Sequence, residues 1–463
     1  VSNAQEGWSL DSCIRYANAH NPGLELSELN VQLSEVSRLS AVGGLLPSFN
    51  AQATHGYNWG QRIDPFTNQF ASQRVQSNNL GVSASMNLFS GFQQVNTVKQ
   101  ARIDVETSKW QFEKAKNDLS LNVASAFLTV LLNRELLSVA QSSVDNTQSQ
   151  VNRMSNMVEA GQIAEGNLDQ MKAQLASDQA NEVSARNNYE LAILNLTQLM
   201  QLEPSLKPNF QLRLPDIAAL GAEPLIGDPS IAVSAALANF PEIRSAQTAL
   251  ARAEVGERIA RGARYPRLSA SYSYGSGYSG ASRVLFGSPD LLAFPIGTVL
   301  GTNEIVLSVP QPVYSEGDYR IKPFGNQLTD NVNKSLFFSL TIPLFNGFST
   351  LTSVKRAEVN SLSAELQLDQ AENQLSQEVE RAYADARAAI AVFQASTLSR
   401  EASEKSFRWT ETRFEEGLTN QADFANARGN LDIARANETR NKFDYIFKLK
   451  VLDFYLGKPI SLK

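Results

Sequence analysis

The sequence predicts a mainly α-helical chain with a membrane β-barrel portion, internally duplicated, built from long coiled-coil helical hairpins and four strands per chain. Three observations predict it. A polar, helix-forming stretch occurs twice: Gly91 and Gly161 recur as Gly347 and Gly417, an offset of 256 at both ends. Apolar residues fall seven apart along that stretch, and short runs of strict alternation precede each copy. Each copy spans about 65 residues, or about 100 Å at 1.5 Å per residue.

Composition narrows the class. The chain has 463 residues and a formal net charge of −6 with no basic block, which argues against nucleic acid as a partner. The length alone suggests two or three globular domains; the repeat replaces them with one elongated, two-fold body. No run of 18 consecutive apolar residues occurs, so no transmembrane helix is expected, while barrel strands remain open because their hydropathy signal is weak. The single Cys13 lies on an apolar-periodic segment and reads as a buried small side chain. Ser2-Asn3-Ala4 places small residues where a signal peptidase cuts, so the chain start is expected at or just before the end of an export signal.

In order, the first repeat (1–238) opens with a helix over 10–45, interrupted at Asn21-Pro22, where a cap residue precedes a proline in the first turn. Strands over 47–59 and 77–89 follow, then a long helix over 92–159, a returning helix over 168–202 and a Pro-rich linker over 203–238. The second repeat (239–463) has a helix over 241–263, strands over 266–279 and 333–345, a long helix over 348–415 and a returning helix over 424–457. Its opening maps onto the first at an offset of 219, Asn21-Pro22 onto Phe240-Pro241 and Leu46-Pro47 onto Tyr265-Pro266. The second half therefore carries an insertion in the Gly/Pro-rich stretch 280–332, which reads as a long loop.

The four runs alternate apolar with small uncharged residues. Phe49, Ala51, Ala53, His55 and Tyr57 face away from Asn50, Gln52 and Thr54, and Leu336, Phe338 and Leu340 away from Ser335 and Ser339, with Phe337 the exception. About ten residues is the length of a tilted membrane-spanning strand. Aromatic residues gather at the run ends (Trp59, Phe66, Phe89, Phe92, Phe345, Phe348), where interfacial girdles sit. Four strands cannot close a barrel and an open edge cannot sit in lipid, so several copies must share one. Two copies would supply eight strands and three would supply twelve; the strand count does not choose.

Along the first long helix Val123, Val130, Leu137, Val144, Val151 and Val158 form a strict heptad series, which means left-handed coiled-coil packing. The second series, Val379, Ala386, Phe393, Arg400, Phe407 and Phe414, is apolar except at Arg400. Gly161 and Gly417 mark the hairpin turns. Taken alone, such helices also suit a rod-like surface scaffold.

With these elements in place the chain resembles the TolC-like outer-membrane efflux ducts. The resemblance rests on Cys13-Ile14, Ala17, Asn21-Pro22, Leu46-Pro47, the paired Leu-Phe-x-Gly-Phe and the ends Glu159-Ala160-Gly161 and Glu416-Gly417-Leu418-Thr419. It implies a homotrimer with a 12-stranded β-barrel in the outer membrane of a Gram-negative bacterium, on a 12-helix tube through the periplasm. Its partners would be a periplasmic adaptor (membrane fusion) protein, an inner-membrane RND or ABC transporter, and outer-membrane lipid. The family's second hairpin carries a glycine followed after six residues by Asp and, three further, by another carboxylate. Here Gly417 leads to Asp423, which matches, and then to Asn426, which does not; Asn167 and Gln170 stand at the corresponding places of the first hairpin. The resemblance makes Asp423, Asn426, Asn167 and Gln170 the pore constriction. It makes Gly417, Leu418 and Thr419, and more loosely Gly161, Gln162 and Ile163, the adaptor-docking tips. One Asp ring backed by amides implies weaker block by multivalent cations than two would.

Catalysis finds no support in the sequence. His20 and His55 have no metal-ligand spacing around them, and neither a Gly-rich phosphate loop nor a Gly-x-Ser-x-Gly elbow occurs, so neither a metal nor a cofactor is expected. The function expected is a passive exit duct for small-molecule or drug efflux. Type I protein secretion and a channel-less coiled-coil scaffold are the alternatives.

Overall fold

A computed structural model describes residues 7–71, 74–213, 228–302 and 304–458. The Ser2-Asn3-Ala4 signal site and the linker stretch 214–227 lie outside the described residues. By compactness the chain divides into a helical unit (Val1–Arg38, Gln100–Glu254, Ala357–Lys463) and a unit that holds the sheet (Leu39–Lys99, Val255–Arg356). Each sequence half contributes to both.

The helical unit begins where Ser9 accepts the Ser12 amide at 3.2 Å and starts α1 (Leu10–His20). Leu10, Cys13 and Ala17 lie on its buried face, and burial pushes the Cys13 thiol up to about 12. Pro22, with no N–H to donate, breaks the helix and opens α2 (Pro22–Gly43). Only Leu24 of α2 is buried; Leu26, Leu29, Leu33 and Val36 remain exposed. α3 (Gln93–Glu159) and α4 (Glu165–Leu199) form the first hairpin, and α8 (Ser349–Glu415) and α9 (Gln421–Tyr455) the second. Between them in sequence come α5 (Pro229–Asn239), α6 (Pro241–Gly262) and, within the sheet unit, α7 (Phe324–Asp330).

Heptad positions sort by burial. Val123, Val130, Val151, Val379 and Ala386 are buried. Arg400, the polar exception, reaches from α8 to Glu438 on α9 at 3.0 Å and to Glu404 at 3.0 Å. The linker expectation needs correction. Part of the linker 203–238 is helix α5, capped by Asp228 through the Ser230 amide at 3.0 Å. It is the second copy of α1 at the offset of 219, with Ala232 and Ala236 buried where α1 buries Cys13 and Ala17. Its alanines are too small to announce an apolar stripe. By composition alone α3 also contains an 18-residue window of mean hydropathy 1.4, apolar enough to cross a membrane, although no unbroken apolar run exists. Val123, Phe127, Val130 and Leu131 of α3 are core residues, packed with Leu196, Met200, Phe443 and Ile446.

In the sheet unit, β1 (Ser48–Asn58), β4 (Val75–Ser90), β5 (Arg267–Ser279) and β12 (Asn333–Thr341) form one antiparallel sheet in the order β1-β4-β5-β12. The register aligns Asn50, Ser83, Ser273 and Ser335 across all four strands on one face. Phe49, Ala84, Tyr272 and Leu336 align on the other, where the two side chains of the edge strands are well exposed. β12 stops at Thr341, short of the expected 345, because Pro343 cannot donate to a ladder. At the strand-to-helix turns Gly91 and Gly347 have φ of 61° and 60°, which glycine adopts without strain, and Phe92 and Phe348 follow at 62° and 66°, where a side chain is strained.

The insertion is not an irregular loop. It zips into an antiparallel ribbon: β6 (Arg283–Leu285) pairs with β11 (Tyr319–Ile321), β7 (Asp290–Leu292) with β10 (Gln311–Val313), and β8 (Pro295–Thr298) with β9 (Ile305–Leu307). The small hairpin β2 (Arg62–Ile63) with β3 (Phe70–Ala71) ends the β1–β4 pair. A buried polar node ties these regions to the sheet. Gln327 accepts the Ser279 amide at 2.9 Å and donates to the Lys322 carbonyl at 2.7 Å, and the Ser279 hydroxyl bonds Asp64. Burial pushes the Asp64 carboxyl up, but hydrogen bonds from Ser279, Thr67 and Phe66 outweigh it and hold its pKa below the usual carboxylate value.

Candidate functional site: the two hairpin ends

Both hairpins end in the same backbone motif. After α3, the Gly161 amide bonds the Val158 carbonyl and the Gln162 amide the Met157 carbonyl, both at 2.9 Å. After α8, the Gly417 amide bonds Phe414 at 3.1 Å and the Leu418 amide bonds Arg413 at 2.7 Å. Gly161 and Gly417 have φ of 70° and 71°, the left-handed conformation that closes a helix by this paired-bond motif.

The starts of the returning helices differ. Asn420 caps α9 by accepting the Asp423 amide at 2.8 Å, and the Thr419 hydroxyl donates to the Asp423 carboxylate at 3.0 Å. Ala164 precedes α4 and offers no side-chain cap. Asp423 is thus held in place while exposed to solvent, and Leu418, 63% exposed, is the apolar residue at the extremity.

Beneath the ends lies a shared core of Val151, Met154, Leu168, Met171 and Phe424, with Phe414 stacked on Phe424 at 4.8 Å. A cleft of about 300 Å³ opens between the two ends and brings Ile163 and Asn167 of the first beside Gly417 and Thr419 of the second. Met154, Met157, Ile163 and Phe414 give it a soft apolar wall. A second cleft, of about 290 Å³, brings Gln170 together with Asn426. Asp423, Leu418, Gly161 and Gln162 line neither cleft.

The second cleft is also lined by a group the sequence did not single out. Arg428, 8% exposed, donates to the Ser143 carbonyl on α3 at 2.7 Å and pairs with Asp432 at 3.6 Å. The Ser143 hydroxyl donates to Asp432 at 2.9 Å, so first and second hairpins are joined by one satisfied polar link. The only local signal was the i,i+4 spacing of Arg428 and Asp432, which an ordinary helix surface also shows. Among the described residues no group of three or more His, Cys, Asp or Glu is placed to hold a metal. The ends offer apolar and hydrogen-bonding surface for docking and one fixed carboxylate; no nucleophile, base and acceptor converge.

Comparison with known proteins yields a consistent set. A family model described as outer membrane efflux protein matches residues 13–200 and 232–458. The chain is 25% identical over 282 residues to the pyoverdine export outer membrane protein OpmQ of Pseudomonas aeruginosa, a match spanning 59% of this chain and 57% of OpmQ. It is 23% identical over 488 residues to the outer membrane protein TolC of Escherichia coli, covering 99% of this chain and 87% of TolC. The crystal structure of the outer membrane protein VceC from Vibrio cholerae superposes with a TM-score of 0.73 at 14% identity, over 98% of this chain and 97% of VceC, a likeness of fold.

Proposed function

The chain belongs to the outer membrane efflux protein family, a family of outer-membrane channels rather than enzymes, and on that premise we propose that it is the exit duct of a tripartite export system. Three copies would close a 12-stranded barrel in the outer membrane, and their hairpins a 12-helix tube in the periplasm. On this reading the chain comprises two structural repeats, 1–238 and 239–463. The observation that carries it is the sheet: four strands with both edges open, one face apolar and the other hydroxyl- and amide-lined. A sheet of that pattern satisfies its backbone in lipid only when closed into a water-filled barrel.

The duct conducts passively, and the energy comes from an inner-membrane RND or ABC transporter through a periplasmic adaptor. Small-molecule cargo is favoured by the relation to OpmQ, whose name assigns it pyoverdine export. The adaptor docks on Gly417, Leu418 and Thr419, with Gly161, Gln162 and Ile163 as the looser second contact. Asp423 narrows the entrance, backed by Asn426, Asn167 and Gln170. Its position fits that role because Asn420 holds its backbone amide and the Thr419 hydroxyl its carboxylate while the side chain stays exposed.

The test is cross-linking from Leu418→Cys in intact cells. Capture of an adaptor together with an RND pump is the expected result, capture with an ABC transporter would move the cargo to secreted protein, and failure to capture any adaptor while export persists would reject docking at this end. In planar bilayers the purified protein should form channels whose block by multivalent cations weakens in Asp423→Ala. Unchanged block would remove Asp423 from the constriction.

A further inference from the structure

The hairpin of β2 and β3, between β1 and β4, folds onto β5. It pairs Arg62 with Ala71 and Ile63 with Phe70, and at its tip the Asp64 amide donates to the Gln69 carbonyl at 2.9 Å. The tip reaches past β4, and a Cβ added at Gly277 of β5 would overlap the Phe66 ring. The register puts Gly277 on the face of Ser83 and Ser273, the one lined by hydroxyls and amides. An aromatic at the end of a strand run suggests an interfacial girdle. Phe66 instead lies on the polar face, over bare backbone, where a strand glycine admits a close neighbour.

The tip is fixed by the polar node. Asp64, 2% exposed, accepts the amides of Phe66 and Thr67 at 3.0 Å each, the Thr67 hydroxyl at 3.2 Å and the Ser279 hydroxyl. Gln327 in turn holds the Ser279 backbone, accepting its amide at 2.9 Å and donating to its carbonyl at 3.1 Å. A carboxylate so buried cannot leave one donor without losing a charged hydrogen bond that water does not replace. On the helix side of Phe66 the polar face sinks into a hollow of about 340 Å³. Asn79, opposite Gly277, begins it; Gly81 and Gly275 form its bare floor, and Ser83, Ser273 and Ser335 line it.

We propose that this hairpin tip is an exit lid: Phe66, latched to β5 through Asp64 and Ser279, narrows the outer end of the passage and screens the hollow behind it from bulky solutes. This rests on the reading of the polar face as the wall of a water-filled barrel, whose end remote from the Gly91 turn opens outside the cell. The lid is separate from the constriction at the hairpin ends and acts at the opposite end of the duct. An apolar ring in a wetted passage restricts it twice, by its bulk and by the water it displaces. The latch donors are backbone amides and hydroxyls, so the lid is held by short-range geometry rather than by an exposed ion pair that salt would screen.

Cys13, the single cysteine of the chain, is buried, so a cysteine placed in the hollow can be labelled selectively. The test follows Ser83→Cys in intact cells, labelled from outside by a bulky membrane-impermeant maleimide and, separately, by a small charged thiosulfonate. Each is applied with Phe66 present, with Phe66→Ala, and with Ser279→Ala, which keeps the ring and cuts the latch. Ser335→Cys, in the same hollow, repeats the measurement should Ser83→Cys fail to assemble. Expected is bulky-reagent labelling about tenfold faster in Phe66→Ala and severalfold faster in Ser279→Ala, with the small reagent changing by less than about twofold. Equal bulky-reagent rates in all backgrounds, while the small reagent still reaches the cysteine, would overturn the lid and leave the duct. Acceleration by Phe66→Ala without Ser279→Ala would overturn the latch. A cysteine that neither reagent reaches in any background, in protein recovered from the outer membrane, would overturn the water-filled barrel itself.

Discussion

The two hairpin ends share a closing motif and differ in how the returning helix begins. Gly161 and Gly417 stop α3 and α8 with matching φ values and the same pair of backbone bonds. The second end then gains Asn420 as a cap and Thr419 as a brace on Asp423, while Ala164 leaves the first α4 amides without a side-chain acceptor. Higher up, the first hairpin is tied by a buried bond from Thr147 to Asp178, and the second by the half-buried ion network of Arg400 with Glu404 and Glu438. Duplication preserved the turn, which the backbone demands. The polar fittings around it diverged, so the second end presents a fixed carboxylate and the first presents amides.

The largest effect that sharpens this contrast lies in the shared core. Phe424→Ala should cost about 3–5 kcal/mol and its mate Leu168→Ala about 2–5, read from denaturant unfolding of the helical signal in detergent. Equal and small losses would mean that the two ends do not share one core. The caps come next. Asn420→Ala should cost about 1 kcal/mol, whereas Ala164→Asn should stabilise the first end by up to about 1 kcal/mol, since Ala164 already has the extended φ and ψ of −73° and 144° that a cap needs. A loss rather than a gain at Ala164→Asn would show that the first end depends on being uncapped.

The smallest expected effect is a pH dependence confined to the second hairpin. Hydrogen bonds from Arg408 and then Arg400 hold the Glu404 carboxyl below its ordinary value of 4.5. The network's contribution is therefore complete above pH 4.5 and is lost as pH falls through the lower folded value. Hydrogen exchange, corrected for its intrinsic pH dependence, should show α8 around Arg400 opening below that point while α3 around Val144, the apolar mate, does not. Parallel opening of both helices would place the acid sensitivity elsewhere.

Much of this architecture was legible because it rests on local chemistry. Period-7 and period-2 patterns, the proline at 22 and the turn glycines act on the residues beside them, and they placed the long helices and the sheet strands. The insertion was misread because Gly and Pro punctuate it, while Ile305, Val306 and Leu307 quietly supply a ladder opposite Pro295–Thr298. At the candidate site Asp423 and the turn glycines could be named in advance, whereas Arg428 could not.

By itself the sequence determined the duplication, the order of elements, the heptad seams and the two turns, since each follows from backbone conformation or from the spacing of apolar residues. Only the tertiary structure decided which polar groups meet. Ser143 finds Asp432 across 289 residues, Asp64 finds Ser279 across 215, and Gln327 finds Ser279 across 48. Residues so far apart leave no pattern in a single sequence; they become neighbours only when packing fixes which helix faces and loop ends are buried together.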